Sequence, residues 1–205
     1  MSYSQNNWEQ FYSLDTTPSF FLNNICVHKS FLEAIINQDP KQILEVGVGT
    51  GTMSIFLSLL GIECTGADSN KEIVKKAEIL NKKLNGRAVF KKADAFYLSF
   101  SDHSFDVVFS QGFFEHFADV LILKLLREQL RVGKIVMLSV PNNFYPQKDF
   151  GDERLLSKLY WDTLLKTHFN LLHSENYYEF SKEADGLWGK KTERFLVMYM
   201  AKISL

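Results

Sequence analysis

No run of lysine and arginine interrupts this 205-residue chain, and its 23 basic and 24 acidic side chains leave a formal charge of −1. The electrostatic footprint of a nucleic-acid binder is therefore missing. Cys26 and Cys64 are too few and too far apart for a disulfide framework or a zinc site. They suit a reducing compartment and read as packing thiols. No apolar stretch reaches bilayer length, since the most apolar helical segment, MSIFLSLLGI, stops at Gly61. The N-terminal MSYSQNNWEQFYSL is polar and aromatic, without the basic-then-apolar order of a secretory signal. Internal repeats and low-complexity tracts are also absent, so the expectation is a cytoplasmic protein of one compact domain spanning 1–205.

What is present is apolar bulk. At 46% hydrophobic and 14% aromatic, with 18 phenylalanines, the chain can fill a core that needs no metal or disulfide staple. Short runs rich in β-branched residues alternate with segments of helical period, which argues for an α/β fold: a mostly parallel sheet covered by helices on both faces. QILEV, IECTGAD, AVFKKA, FDVVFS and KIVMLSV read as five strands. NLLHSENYYEF and ERFLVMYMAKI add a strand pair, joined by the loop SKEADGLWGKKT, for seven strands in all. Helices are expected over TMSIFLSLLG, over KEIVKKAEILNKKL behind an Asn70 cap, over DVLILKLLREQLRV and over ERLLSKLYWDTLLKTHF, the last with Asp152 as its cap. Residues from Trp8 to Gln38 read as mostly helical, an addition to the sheet.

The first strand runs into LEVGVGTGT, with glycine at 47, 49 and 51. Alternate glycines permit positive φ and let a ligand touch main chain, in the strand-to-helix turn where open α/β sheets bind their ligands. A dinucleotide fingerprint requires G-x-G-x-x-G, but Thr52 stands at its last position and the third glycine comes one step early. That weakens a pyrophosphate reading. Asp68, ending the second strand, can accept hydrogen bonds from both hydroxyls of a ribose. Glu45, Asp68 and Asp94 place acids in or at the ends of the first three strands, so the ligand should be a neutral or cationic nucleoside rather than a polyanion.

These residues resemble the class I S-adenosylmethionine-dependent methyltransferases, and among them the small-molecule group of ubiquinone and menaquinone biosynthesis. The resemblance covers about residues 42 to 140 and rests on LEVGVGTGT, GADSN, KADAFYLSFSDHSFDVVFSQGFFEH and LREQLRVGKIVMLSVPN taken together. It implies a single Rossmann-like methyltransferase domain that binds S-adenosylmethionine and releases S-adenosylhomocysteine. Gly47, Gly49 and Gly51 would pass the methionine part, with Glu45 orienting the turn. Asp68 would hold the ribose and Ser69 would lie beside the adenine. Asp94 and the Ala95 N–H would meet the adenine ring, with Phe96 packing nearby, and Gln111 and Gly112 would line the amino-acid end. Two departures stand out: Val48 replaces a frequent cysteine, and LRVGK keeps only Gly133 of a Pro-Gly-Gly turn.

A sulfonium methyl is already activated, so transfer to a small-molecule hydroxyl or amine needs mainly alignment. A hydroxyl acceptor gains from a general base. SQGFFEHF puts Glu115 and His116 after the fourth strand, where His116 is the candidate base and Glu115 a candidate orienting group. The competing reading is a packing or capping role for His116 and a bond to an adjacent backbone amide for Glu115. His28, His103, His168 and His173 read as structural or solvated. Asp149, Asp152 and Glu153 do not read as a metal site, and no metal is expected. The N-terminal segment 1–40, with Trp8, Phe11, Tyr12, Phe20 and Phe21, is expected to act as a lid, and 142–192 to be a variable segment on the substrate side. Phe113, Phe114, Phe144, Tyr145 and Trp161 are candidates for an aromatic pocket. The expected partner is a small molecule, with no nucleic acid and no membrane insertion, for a monomer or homodimer. The alternative is a non-catalytic S-adenosylmethionine-binding or regulatory protein.

Overall fold

The computed structural model describes residues 16–148, 151–186 and 189–205, so Trp8, Phe11, Tyr12 and Asp149 lie outside the described residues. Seven strands form one mixed sheet: β1 (Gln42–Val46), β2 (Glu63–Asp68), β3 (Val89–Lys92), β4 (Phe105–Gln111), β5 (Gly133–Pro141), β6 (Asn170–Gly186) and β7 (Gly189–Ser204). Their order is β3-β2-β1-β4-β5-β7-β6. The first five strands pair in parallel, while β7 runs antiparallel to both β5 and β6. The α-helices of the described residues are α1 (Pro18–Val27), α2 (Lys29–Ile36), α3 (Thr52–Leu59), α4 (Lys71–Lys83), α5 (Asp119–Val132) and α6 (Lys158–His168).

Because side chains alternate across a strand, the central strands feed two cores. Ile43, Val107, Phe109 and Met137 pack with Phe31, Leu32 and Ile35 of α2, Ile55 of α3 and Ala77 of α4. Leu44, Val108, Val136 and Leu138 pack with Ile122, Leu125 and Leu126 of α5 and with Trp161 and Leu165 of α6. Asn70 does cap α4, its side-chain oxygen accepting from the Glu72 and Ile73 amides. Among the described residues, no helix is long and apolar enough to cross a membrane.

Four expectations need correction. The helix expected from Glu153 begins only at Lys158, capped by Ser157 and not by Asp152. Leu156 instead bridges to Asn142, so 151–157 runs as an extended strap. The expected loop SKEADGLWGKKT is largely strand, with pairing that continues to Gly186 and Gly189. Polar side chains there hid the period-2 signal that backbone pairing alone sustains. Finally, Cys26 is exposed, and only Cys64 is the buried thiol that both were expected to be.

Candidate functional site

The strand order reverses between β1 and β4, and the chain segments leaving the carboxyl ends of both open onto one cavity of about 480 Å³. Ligands in open α/β sheets bind at such a reversal. From β1 come Gly47, Val48, Gly49 and Thr50, and from β4 come Gln111, Gly112, Glu115 and His116. Phe20, Asn24 and His28 close it from the N-terminal helices, and Tyr145, Glu153, Tyr178, Phe180 and Met198 from the C-terminal third.

The turn after β1 is main chain held in a left-handed path, with φ of +77° at Gly47, +51° at Gly49 and +74° at Gly51. The three glycines have different reasons. A Cβ on Gly47 would stand 2.5 Å from the Phe113 ring, so one wall of the turn is covered by the chain's own aromatic. A Cβ on Gly51 would meet Phe90 and Ala77 at 2.9–3.0 Å, and Gly51 does not line the cavity. Gly51 therefore serves packing and the N-cap of α3, not ligand approach. Gly47 and Gly49 remain on the cavity floor.

Glu45 is buried, and its carboxylate accepts from both the amide and the hydroxyl of Ser54, in the first turn of α3. One amide of that helix start is thereby occupied from within, which makes it a poorer anion site than an open N-terminus. Burial pushes the Glu45 carboxyl up to about 8, against the Ser54 bonds, and the neighbouring Asp68 charge adds to the rise. Asp68 accepts from the main-chain amides of Asn70, Gly49 and Ser69, which ties the tip of β2 to the glycine turn. Burial nonetheless raises its pKa above the usual value.

Asp68, Ser69, Asp94, Ala95 and Phe96 lie off the enclosed cavity. Asp94 comes after β3, which ends at Lys92, and its carboxylate accepts from the Phe96 amide at 2.9 Å in a turn bridged to Tyr97. Phe96 meets Phe117 edge-on at 6.2 Å.

At the other end, Glu115 and His116 form a short 3-10 turn after β4 and are both buried. Asp152 of the strap reaches in, its Oδ1 2.8 Å from His116 Nδ1, so the residue expected to cap a helix orients an imidazole instead. His116 Nε2 lies 4.0 Å from Glu115 Oε1. The strap is held over this turn by Arg154, whose amide donates to the Glu115 carbonyl and whose guanidinium donates to the Phe117 carbonyl and Asp119.

The expected aromatic pocket disperses. Tyr145 lines the cavity, Phe113 covers Gly47, and Phe144 stacks on Phe195. Phe114 and Trp161 are core, Trp161 stacking on Tyr199. Missed from the sequence were His28, Tyr177 and Ser139. Nδ1 of His28 lies 2.8 Å from the Tyr177 hydroxyl, which bonds in turn to Ser139 Oγ. Tyr178 was missed as well, with φ of +60° in the cavity wall, where Asn142 takes over hydrogen bonding to β7. Such strain in a bulky residue clusters at functional sites, but nothing local in ENYYEF signals it.

Residues 43–134 match the family model described as "Methyltransferase domain". The chain is 31% identical over 138 residues to norajmaline N-methyltransferase of Rauvolfia serpentina, covering 62% of this chain and 47% of that protein. It is 32% identical over 143 residues to demethylmenaquinone methyltransferase of Thermus thermophilus, covering 65% and 60%. The chain thus spans about half the length of the curated relatives it matches. Among solved structures, the PH0226 protein of Pyrococcus horikoshii superposes with a TM-score of 0.73 over 95% of this chain and 98% of that one, at 18% identity. That identity speaks for the fold alone.

Proposed function

We propose that this chain is a class I S-adenosylmethionine-dependent methyltransferase that moves the methyl group of that cofactor onto an uncharged or cationic small molecule, a reading that the match to a methyltransferase domain and the strand order support. One observation carries the reading. The cavity floor is bare main chain at the strand-order reversal, and its acidic lining is Glu115 and Glu153 beside a Glu45 that burial keeps protonated near pH 7, with no lysine or arginine among the described residues. Such a surface repels phosphate and carboxylate and accommodates a sulfonium and an ammonium.

The residues fit that cofactor in these roles. Gly47 and Gly49 pass its methionine part, with Gln111 and Gly112 at the amino-acid end. Glu45 sets the turn through Ser54. Asp68 uses its remaining acceptor capacity for the ribose, and Ser69, Asp94, Ala95 and Phe96 frame the adenine. When bound, the cofactor supplies an electrophilic methyl that asks mainly for alignment. His116, oriented by Asp152 through Nδ1, takes the proton of a hydroxyl or amine acceptor at Nε2, and Glu115 beside it stabilises the cation that forms. Residues 1–40 act as a lid on this site within one domain of 1–205, and 142–192 shapes the acceptor side.

Calorimetry with S-adenosylhomocysteine and with NAD tests the cofactor. Tight NAD binding with none of S-adenosylhomocysteine refutes the reading. Methyl transfer to any member of a panel of phenols and amines separates an enzyme from a binding protein.

A further inference from the structure

His28 stands at the break between α1 and α2 and lines the cavity, although only 5% of it is exposed. Its Nδ1 belongs to a chain of three buried polar groups from distant segments: His28, the Tyr177 hydroxyl and Ser139 Oγ. Nε2 makes no hydrogen bond among the described residues, in a side chain that lines the cavity. The cavity's apolar wall includes Val27, Tyr145, Phe180, Val197 and Met198.

We propose that His28 is an acceptor-binding residue, holding a hydroxyl of an uncharged, ring-bearing acceptor at Nε2, with Tyr177 and Ser139 as the positioning residues that orient its ring through Nδ1. The proposal rests on the methyl-transfer reading of the same cavity and deepens it by naming the acceptor class. Two proton orders close the chain. If Ser139 donates to Tyr177 and Tyr177 to Nδ1, Nε2–H donates into the cavity. If Nδ1–H donates to Tyr177 and Tyr177 to Ser139, Nε2 accepts. A hydroxyl, both donor and acceptor, satisfies either order; a hydrocarbon satisfies neither. Burial holds the imidazole pKa down at about 4, so the ring is neutral near pH 7 and offers hydrogen bonding, not charge. The carboxylates along the cavity then disfavour an anionic acceptor.

The test uses 1-naphthol and naphthalene as probes, titrated by fluorescence into the full-length protein loaded with S-adenosylhomocysteine. The native protein should prefer 1-naphthol by about tenfold, the worth of one neutral hydrogen bond. In His28→Asn the amide replaces Nδ1, so the bond to Tyr177 and the seat of the helices survive while Nε2 is lost; the preference should vanish at unchanged S-adenosylhomocysteine affinity. Tyr177→Phe keeps the ring packing but frees the imidazole, and should reduce the preference as well, which carries the test should His28→Asn not fold. Absence of a preference in the native protein, or a preference in both variants as large as that of the native protein, overturns the proposal. Failure of S-adenosylhomocysteine to bind native protein defeats the transferase reading instead, and the two probes can still be compared on the unloaded protein.

Discussion

On one side of the cavity, Glu45, the turn from Gly47 to Thr50 and Asp68 belong to a single β1–α3–β2 unit, pinned by carboxylates that bond to nearby amides. On the other side, His28, Glu115, Asp152 and Tyr177 come from four separate segments, and the His28–Tyr177 bond alone spans 149 residues. The first half is held by carboxylates that accept from main-chain amides of the same unit, so its geometry follows from backbone conformation. The second is assembled by single side-chain bonds between elements distant in sequence. Substitutions should therefore separate: the local half governs stability and cofactor affinity, and the assembled half governs turnover and acceptor choice.

The sharpest break should come from His116→Ala, which removes the proposed base and should lower kcat by about 10²- to 10⁴-fold. The S-adenosylhomocysteine dissociation constant should stay the same by calorimetry. Full activity on a hydroxyl or amine acceptor would retire His116 from that role.

Next comes a pH effect confined to the local half. The folded protein keeps the Glu45 proton up to about 8, whereas the unfolded chain releases it near the ordinary 4.5. Below 4.5 both states hold the proton and the full contribution is present; as pH rises to about 8 only the unfolded state has lost it, so stability falls across that window. The loss is on the order of a few kcal/mol. Glu45→Gln should flatten the fall in urea unfolding between pH 5 and 8. Parallel curves for the two proteins would show that Glu45 does not titrate in this way.

Asp68→Ala should weaken S-adenosylhomocysteine binding by roughly 1 to 3 kcal/mol, since a charged acceptor is lost to the ribose. An unchanged dissociation constant would leave Asp68 as a brace of the turn only, bonded to Gly49 and Asn70. The smallest effect is expected for Asp152→Ala. It removes one hydrogen bond to His116 and should cost about tenfold in kcat. Were Asp152→Ala to match His116→Ala in depth, the strap would do more than orient the ring.

Legibility in the sequence follows the same division. Strand β1, helix α5 and the Asn70 cap stand where periodicity and cap chemistry put them, because each is decided within a few residues. The role of Asp152 was misread, since an acid ahead of an apolar run is an ordinary cap signal and nothing local announces that the cap is Ser157 instead. Gly51 was read as facing ligand, yet Phe90 from β3 and Ala77 from α4 are what crowd it, and their approach depends on the packed sheet. His28 looked like one more helix histidine.

By itself the sequence determined the alternating α/β order, the left-handed glycine turn and the acids flanking it, because backbone conformation and strand period are local properties. The tertiary structure alone decided which imidazoles reach the cavity and what orients them. Hydrogen bonds such as His116–Asp152 and His28–Tyr177 exist only once separate elements have packed, and burial then sets the charge of His28 and Glu45.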